Sequence, residues 1–148
     1  MSTQEMSPIM DDNEEIERIQ QKKIREMQGA YRAKAEPPLR DTTGKPVDVS
    51  DDTFQRFVQE NAIAVVDCWA AWCAPCRMVA PVIDELASAY TGRIAFGKLN
   101  VDENQGTATH YQVMSIPTLL VFKAGKLVDR IVGAMPRPLL EPKLTRYL

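Results

Sequence analysis

A chain of 148 residues has room for one domain of ordinary size and a tail. With 45% hydrophobic and 26% charged residues it can bury a core, and a net charge of -2 excludes a general attraction for nucleic acid or an anionic membrane. Its apolar stretches, such as Ala62 to Val66, are far too short to cross a bilayer.

The amino-terminal MSTQEMSPIMDDNEE lacks the basic start and apolar run of a secretory signal, so a cytoplasmic protein is expected. From Asp11 to Ala35 acidic residues lead and basic ones follow, an order that suits a helix dipole. Ile16, Ile19, Ile24, Met27 and Tyr31 form a thin apolar stripe, and Glu14 and Arg18 lie one turn apart. The segment reads as a solvated helical or frayed extension, with docking onto a partner or the following domain as the other reading. Glu36-Pro37-Pro38 and Thr42-Thr43-Gly44-Lys45-Pro46 then break the pattern. The division predicted is a charged extension and linker over 1–45 and a folded domain over 46–148.

Strand and helix signals alternate in the second part. Val47-Asp48-Val49 opens it, and Ser50 is positioned to cap a helix with Asp51 and Asp52 in its first turn and Phe54, Phe57 and Val58 on its inner face, closed by Asn61. Ala62 to Trp69 reads as a strand buried on both faces, with the unexpected Asp67 inside it. A helix from about Cys73 carries Met78, Val79, Val82, Ile83, Leu86 and Tyr90 on its buried face and is bent by Pro81. There follow a strand over Ile94 to Asn100, a short helix over Glu103 to Tyr111, a hairpin of Thr118 to Phe122 with Leu127 to Val132, and a helix over Arg137 to Tyr147. The order β-α-β-α-β-α-β-β-α predicts an α/β sheet with helices on both faces.

Three cysteines within nine residues are not a disulfide framework of the secreted kind. Cys73-Ala74-Pro75-Cys76 stands where a buried strand passes into a helix, so Cys73 belongs near the helix amino terminus with its sulfur partly exposed. Unpaired N–H groups and the positive dipole end favour thiolate there, the form that attacks a disulfide. Cys76 lies one turn on, within reach of a mixed disulfide formed at Cys73. Pro75 in the first turn costs no hydrogen bond, and Ala74 favours helix. The same spacing is also half of a zinc site. The other soft ligands, Cys68 and His110, are placed inside a strand and on a distant helix, so no metal is expected. Cys68 should face away from Asp67 as a buried thiol, with a regulatory disulfide as the other possibility; His110 is given no role.

Val66 to Ala87 (VDCWAAWCAPCRMVAPVIDELA), Lys98 to Asn104 (KLNVDEN), Ser115 to Lys126 (SIPTLLVFKAGK) and Val132 to Ala134 (VGA) together resemble the thioredoxin family over about residues 47–148. The resemblance implies a five-stranded mixed sheet flanked by four helices, with Cys73 as nucleophile and Cys76 as buried resolving thiol. It implies that Asp67, which burial should push toward a neutral pKa, exchanges a proton with Cys76 beside Lys98; a carboxyl buried or paired with Lys98 for folding alone is the competing reading. It further implies a cis bond before Pro117 that leaves the Ile116 backbone to pair with an extended substrate. Trp72, Ala74, Pro75, Ile116, Gly133 and Ala134 become a flat rim around Cys73, with Trp69 in the core beneath. Ala74 where the family has glycine, and Cys68 where it has phenylalanine, are departures.

The activity implied is reduction of disulfides in oxidised target proteins by a monomer with no cofactor beyond the Cys73–Cys76 disulfide, recharged by a separate thioredoxin-reductase-like donor. The general potential of thioredoxin, about -270 mV, is the region expected. The alternatives are a disulfide isomerase or oxidase, which needs an oxidising compartment, and a binding module that recruits partners through residues 1–45.

Overall fold

The computed structural model describes residues 15–24 and 43–148. The chain divides into two units, Met1–Pro38 and Leu39–Leu148. In the first, residues 15–24 form a helix, α1, on which Ile16, Ile19 and Ile24 are exposed. Glu14, Met27, Tyr31 and the break at Glu36-Pro37-Pro38 lie outside the described residues.

In the second unit, β1 (Val47–Asp48), α2 (Phe54–Glu60), β2 (Ile63–Trp69), α3 (Ala74–Ala89), β3 (Ala95–Asn100), α4 (Gln105–His110), β4 (Thr118–Lys123), β5 (Lys126–Val132) and α5 (Arg137–Thr145) follow one another. The strands form one mixed sheet in the order β1-β3-β2-β4-β5. β3 runs parallel to both β1 and β2, β4 antiparallel to β2, and β5 antiparallel to β4. β2 is thus central and has helices on both sides, which is why its sequence is apolar almost throughout. Alternation along it divides the core. Ile63 and Val65 pack with Val79, Ile83 and Leu86 of α3 and Leu140 and Leu144 of α5. Ala64, Val66 and Cys68 pack with Phe54, Phe57 and Val58 of α2. Gly97 of β3 lets α2 approach, because a Cβ there would stand 2.7 Å from Val49 Cγ2 and 2.8 Å from Phe57 Cε1. The β4–β5 turn places Ala124 and Gly125 at φ +52° and +80°, the left-handed pair of a tight hairpin.

The start of α2 corrects the sequence reading. Thr53, not Ser50, is the N-cap; residues 51–53 form a turn, and the Ser50 hydroxyl meets that of Thr53 at 3.2 Å. Asp51 serves α4 instead, accepting from the N–H groups of Gly106 at 3.2 Å and Thr107 at 2.8 Å. These bonds hold its carboxyl below the usual carboxylate range, the interactions with Thr107 contributing most. Met78 also departs from expectation: it is 72% exposed. The buried side of α3 is set by Cys76, Val79, Ile83, Leu86 and Ala87, and at 100° per residue Met78 falls roughly a third of a turn away from their centre.

Candidate active site

β2 ends at Trp69, and the chain turns through residues 70–73 into α3, with the Cys73 N–H donating to the Ala70 carbonyl at 3.2 Å. Arg77, one turn into the helix, donates through Nη1 to the Ala71 carbonyl at 2.9 Å and so ties the turn to α3. Cys73 is the N-cap, in extended conformation, and Pro75 stands in the first turn, where no intrahelical donor is needed. Cys73 and Cys76 are joined in a disulfide with Cα atoms 5.3 Å apart. The Cys76 N–H donates to Cys73 Sγ at 3.2 Å, placing an otherwise unpaired helix donor on that sulfur.

Burial does not distinguish the two cysteines as the sequence reading supposed. Cys73 is 4% exposed and Cys76 3%, both packed with Ala70 against Trp69, Val101 and Ile116. They differ in surroundings. Cys73 Sγ lies 3.7 Å from the Ile116 carbonyl oxygen on the side of the 113–117 loop. Cys76 instead lines a cavity of about 290 Å³ shared with Asp67, Trp69, Ala80 and Lys98.

Asp67 is 1% exposed, and neither carboxylate oxygen has a hydrogen-bond partner among the described residues. Desolvation pushes its carboxyl up to about 6; the positive charge of Lys98 opposes this and the negative charge of Asp84 adds to it. Lys98 is held beside it by strand register, since Asp67 and Lys98 are paired across β2 and β3 and so share a face. The Lys98 ammonium lies 5.5 Å from the Trp69 ring centroid, and Trp69 is half-buried. On the other face Cys68 is wholly buried, its thiol pushed up to about 12, chiefly by burial and further by Asp67.

The loop opposite the sulfurs carries a cis bond between Ile116 and Pro117. The Gly133 N–H donates to the Pro117 carbonyl at 2.9 Å, and the Thr118 hydroxyl to the Ser115 carbonyl at 2.6 Å. Gly133 adopts φ +95°, a conformation that favours glycine. Ile116 and Gly133 are half-exposed, Pro117 is buried, and Ala74, Pro75 and Ala134 are exposed. Trp72, 69% exposed, is anchored through its Nε1, which donates to Asp102 Oδ2 at 2.9 Å. His110 is exposed and stacks edgewise on Tyr111.

Asp102, Arg77 and Arg130 were not singled out by sequence reasoning. Asp102 lies within the quoted KLNVDEN stretch, but nothing in its spacing announces a bond to a residue thirty positions earlier.

The family model for thioredoxin matches residues 45–146. The chain belongs to the thioredoxin family. It is 47% identical over 107 residues to thioredoxin 2 of Chlorobaculum tepidum, covering 72% of this chain and 98% of that protein. Identity to the thioredoxin of Synechocystis is 50% over 101 residues, 68% of this chain and 94% of that one. A solved structure of a mutant thioredoxin from Halobacterium salinarum superposes with a TM-score of 0.66 at 32% identity, covering 70% of this chain and 91% of that chain. Like these thioredoxins, the protein is a thiol–disulfide oxidoreductase that reduces protein disulfides by exchange through Cys73 and Cys76. Among the described residues no helix is long and apolar enough to cross a membrane.

Proposed function

We propose that the two cysteines divide the exchange reaction by position. In the reduced protein the Cys73 thiolate attacks one sulfur of a target disulfide; a Cys73–target bond forms and the second target sulfur leaves. Cys76 then gives its proton to the Asp67 carboxylate and attacks Cys73 Sγ. The Cys73–Cys76 bond closes, the target leaves as a dithiol, and two electrons have passed to it. The disulfide present in the structure is the product state of that cycle. The observation that carries the assignment is the Cys76 N–H aimed at Cys73 Sγ at the amino-terminal end of α3, which favours negative charge on the attacking sulfur.

The cavity shared by Cys76, Asp67 and Lys98 supports the proton route, because Asp67, with its pKa raised to about 6, is suited to exchange a proton near neutral pH. Lys98 would restrain that rise and stabilise the ionised form. Ile116, beside Cys73 and preceding Pro117, would pair its backbone with an extended target segment; Trp72, Ala74, Pro75, Gly133 and Ala134 would form the surrounding rim.

In this reading residues 46–148 form the catalytic domain, residues 1–45 are an extension outside the chemistry, and the protein works as a monomer in the cytoplasm. A separate thioredoxin-reductase-like donor would return the two electrons, with no further cofactor or metal. A reducing compartment is where a dithiol of about -270 mV would be kept reduced. Dithiothreitol-driven reduction of insulin tests the assignment: Cys73→Ser should be inactive, and a Cys73→Ser protein as fast as the parent would refute it. Equilibration with glutathione separates a reductase from an isomerase, which should lie near about -180 mV.

A further inference from the structure

The segment that faces Cys73 is fastened at one end from β5 and at the other from the residue that follows it. At the far end the Gly133 N–H holds the Pro117 carbonyl at 2.9 Å. At the near end α4 finishes at His110 with Tyr111 as its C-cap, Gln112 turns the chain at φ +53°, and the Val113 N–H closes back on the Ala108 carbonyl at 2.9 Å. The carbonyls of Tyr111 and Gln112 both accept from Arg130 of β5, Tyr111 from Nη2 and Gln112 from Nη1, the latter at 3.2 Å. A planar guanidinium offers its donors as a fixed fork, which suits two successive carbonyls; an ammonium on a flexible stem would not hold both in one geometry.

Arg130 is itself well placed. It sits opposite Leu120 in the β4–β5 ladder, and its N–H donates to Asp129 Oδ1 at 2.8 Å. The other oxygen of Asp129 accepts from the Tyr147 hydroxyl at 2.8 Å. Between the two fastened ends lie Met114, 93% exposed, and Ile116, whose carbonyl stands 3.7 Å from Cys73 Sγ.

We propose that Arg130 is a positioning residue for protein substrates: its fork sets the path of residues 113–116, so that this edge is ordered before an extended target segment pairs with it. The inference rests on the reading of Ile116 as the strand-pairing residue. Arg130 bonds to the loop rather than to either sulfur, so its influence falls on docking and not on thiol reactivity. A small disulfide, which has no segment to dock, should be indifferent to it.

The test uses the full chain with two substrates, insulin and 2-hydroxyethyl disulfide. Arg130→Met keeps much of the stem and removes the fork; Arg130→Lys keeps the charge. For Arg130→Met the expectation is a KM for insulin raised roughly five- to tenfold, with kcat and the rate on the small disulfide within about twofold of the parent. Arg130→Lys should fall between, and serves alone if the methionine variant does not fold. An equal loss on both substrates would overturn the proposal, as would an unchanged insulin KM in a folded variant. A parent chain that reduced the small disulfide but gained nothing from strand pairing, seen as unaltered insulin KM after Ile116→Pro, would overturn the underlying reading instead.

Discussion

Asp67 and Cys68 are neighbours on one strand, both buried, and the two faces of the sheet treat them differently. Burial disfavours the charged form of each, lifting the carboxyl to about 6 and the thiol to about 12. Asp67 opens on the cavity it shares with Cys76 and Lys98, whereas Cys68 is enclosed among Val66, Leu99 and Leu120. A carboxyl raised to the edge of neutrality can take and return a proton. A thiol raised to about 12 stays protonated at neutral pH and is a poor nucleophile. Desolvation alone therefore does not create a reactive group; what matters is where the shifted pKa falls and whether a partner can reach it.

The largest effect should come from the sulfurs themselves. Replacing Cys73 by serine should abolish insulin reduction. Cys76→Ser should retain the first attack and accumulate a mixed disulfide with the target, visible by mass spectrometry under non-reducing conditions. A Cys76→Ser protein that turned over normally would show that the second sulfur is dispensable. Cys68, left intact in both variants, should not rescue either, because the sheet separates its side chain from the face that holds Asp67.

Asp67 should come next, in stability and in rate. Its folded pKa lies above the ordinary 3.8, so the native state holds its proton more tightly than the unfolded chain does. Stability contributed by this group is therefore lost as pH rises through the interval from about 4 to about 6, and the full penalty stands above it. At about 1.4 kcal/mol per pH unit the penalty is of the order of 3 kcal/mol. Urea unfolding should show Asp67→Asn gaining on the parent by up to about that amount between pH 4 and pH 8. A gain independent of pH would mean that charge burial is not the cause. The same variant should release mixed disulfides roughly ten- to hundredfold more slowly near neutral pH, since on the proposed proton route Cys76 would lose its acceptor.

Much of this contrast was legible before the fold was known. An acidic residue inside AIAVVDCW conflicts with its surroundings, and strand alternation alone sends Asp67 and Cys68 to opposite faces. The helix-start position of Cys73 followed from the change of pattern after Trp69. What escaped were contacts between segments distant in sequence, made by exposed polar groups that leave no periodic trace. Asp51 beside Ser50 looks like part of a helix start, yet its carboxylate is engaged by N–H groups more than fifty residues away, and α2 begins only after Thr53. The near-equal burial of Cys73 and Cys76 was equally hidden, because Ile116 reaches Cys73 through a loop whose course depends on the whole sheet.

Cys68 sharpens the comparison from its quieter side. Cys68→Ala removes one buried atom and should cost about 1 kcal/mol of stability while leaving insulin turnover unchanged. In the native parent with its active-site disulfide closed, iodoacetamide should leave this thiol unmodified until denaturant is added. Rapid alkylation under native conditions would contradict the enclosed position seen here.

The smallest effect concerns a group outside both faces. Trp72 is largely exposed, and its indole N–H is bonded to Asp102, also at the surface. Water can replace either partner, so Asp102→Ala should alter stability by no more than about 0.5 kcal/mol. Orientation is a different matter, since an indole fixed on the rim presents a defined apolar plate, while an untethered one must be ordered when a target docks. The insulin KM should therefore rise about twofold with kcat unchanged, the cost of ordering one side chain on binding being of that size. Time-resolved fluorescence anisotropy supplies an independent check in a Trp69→Phe background, where Trp72 is the sole indole. Faster ring motion after loss of Asp102 would attribute the change in KM to the tether, and unchanged motion would leave the rim orientation to packing alone.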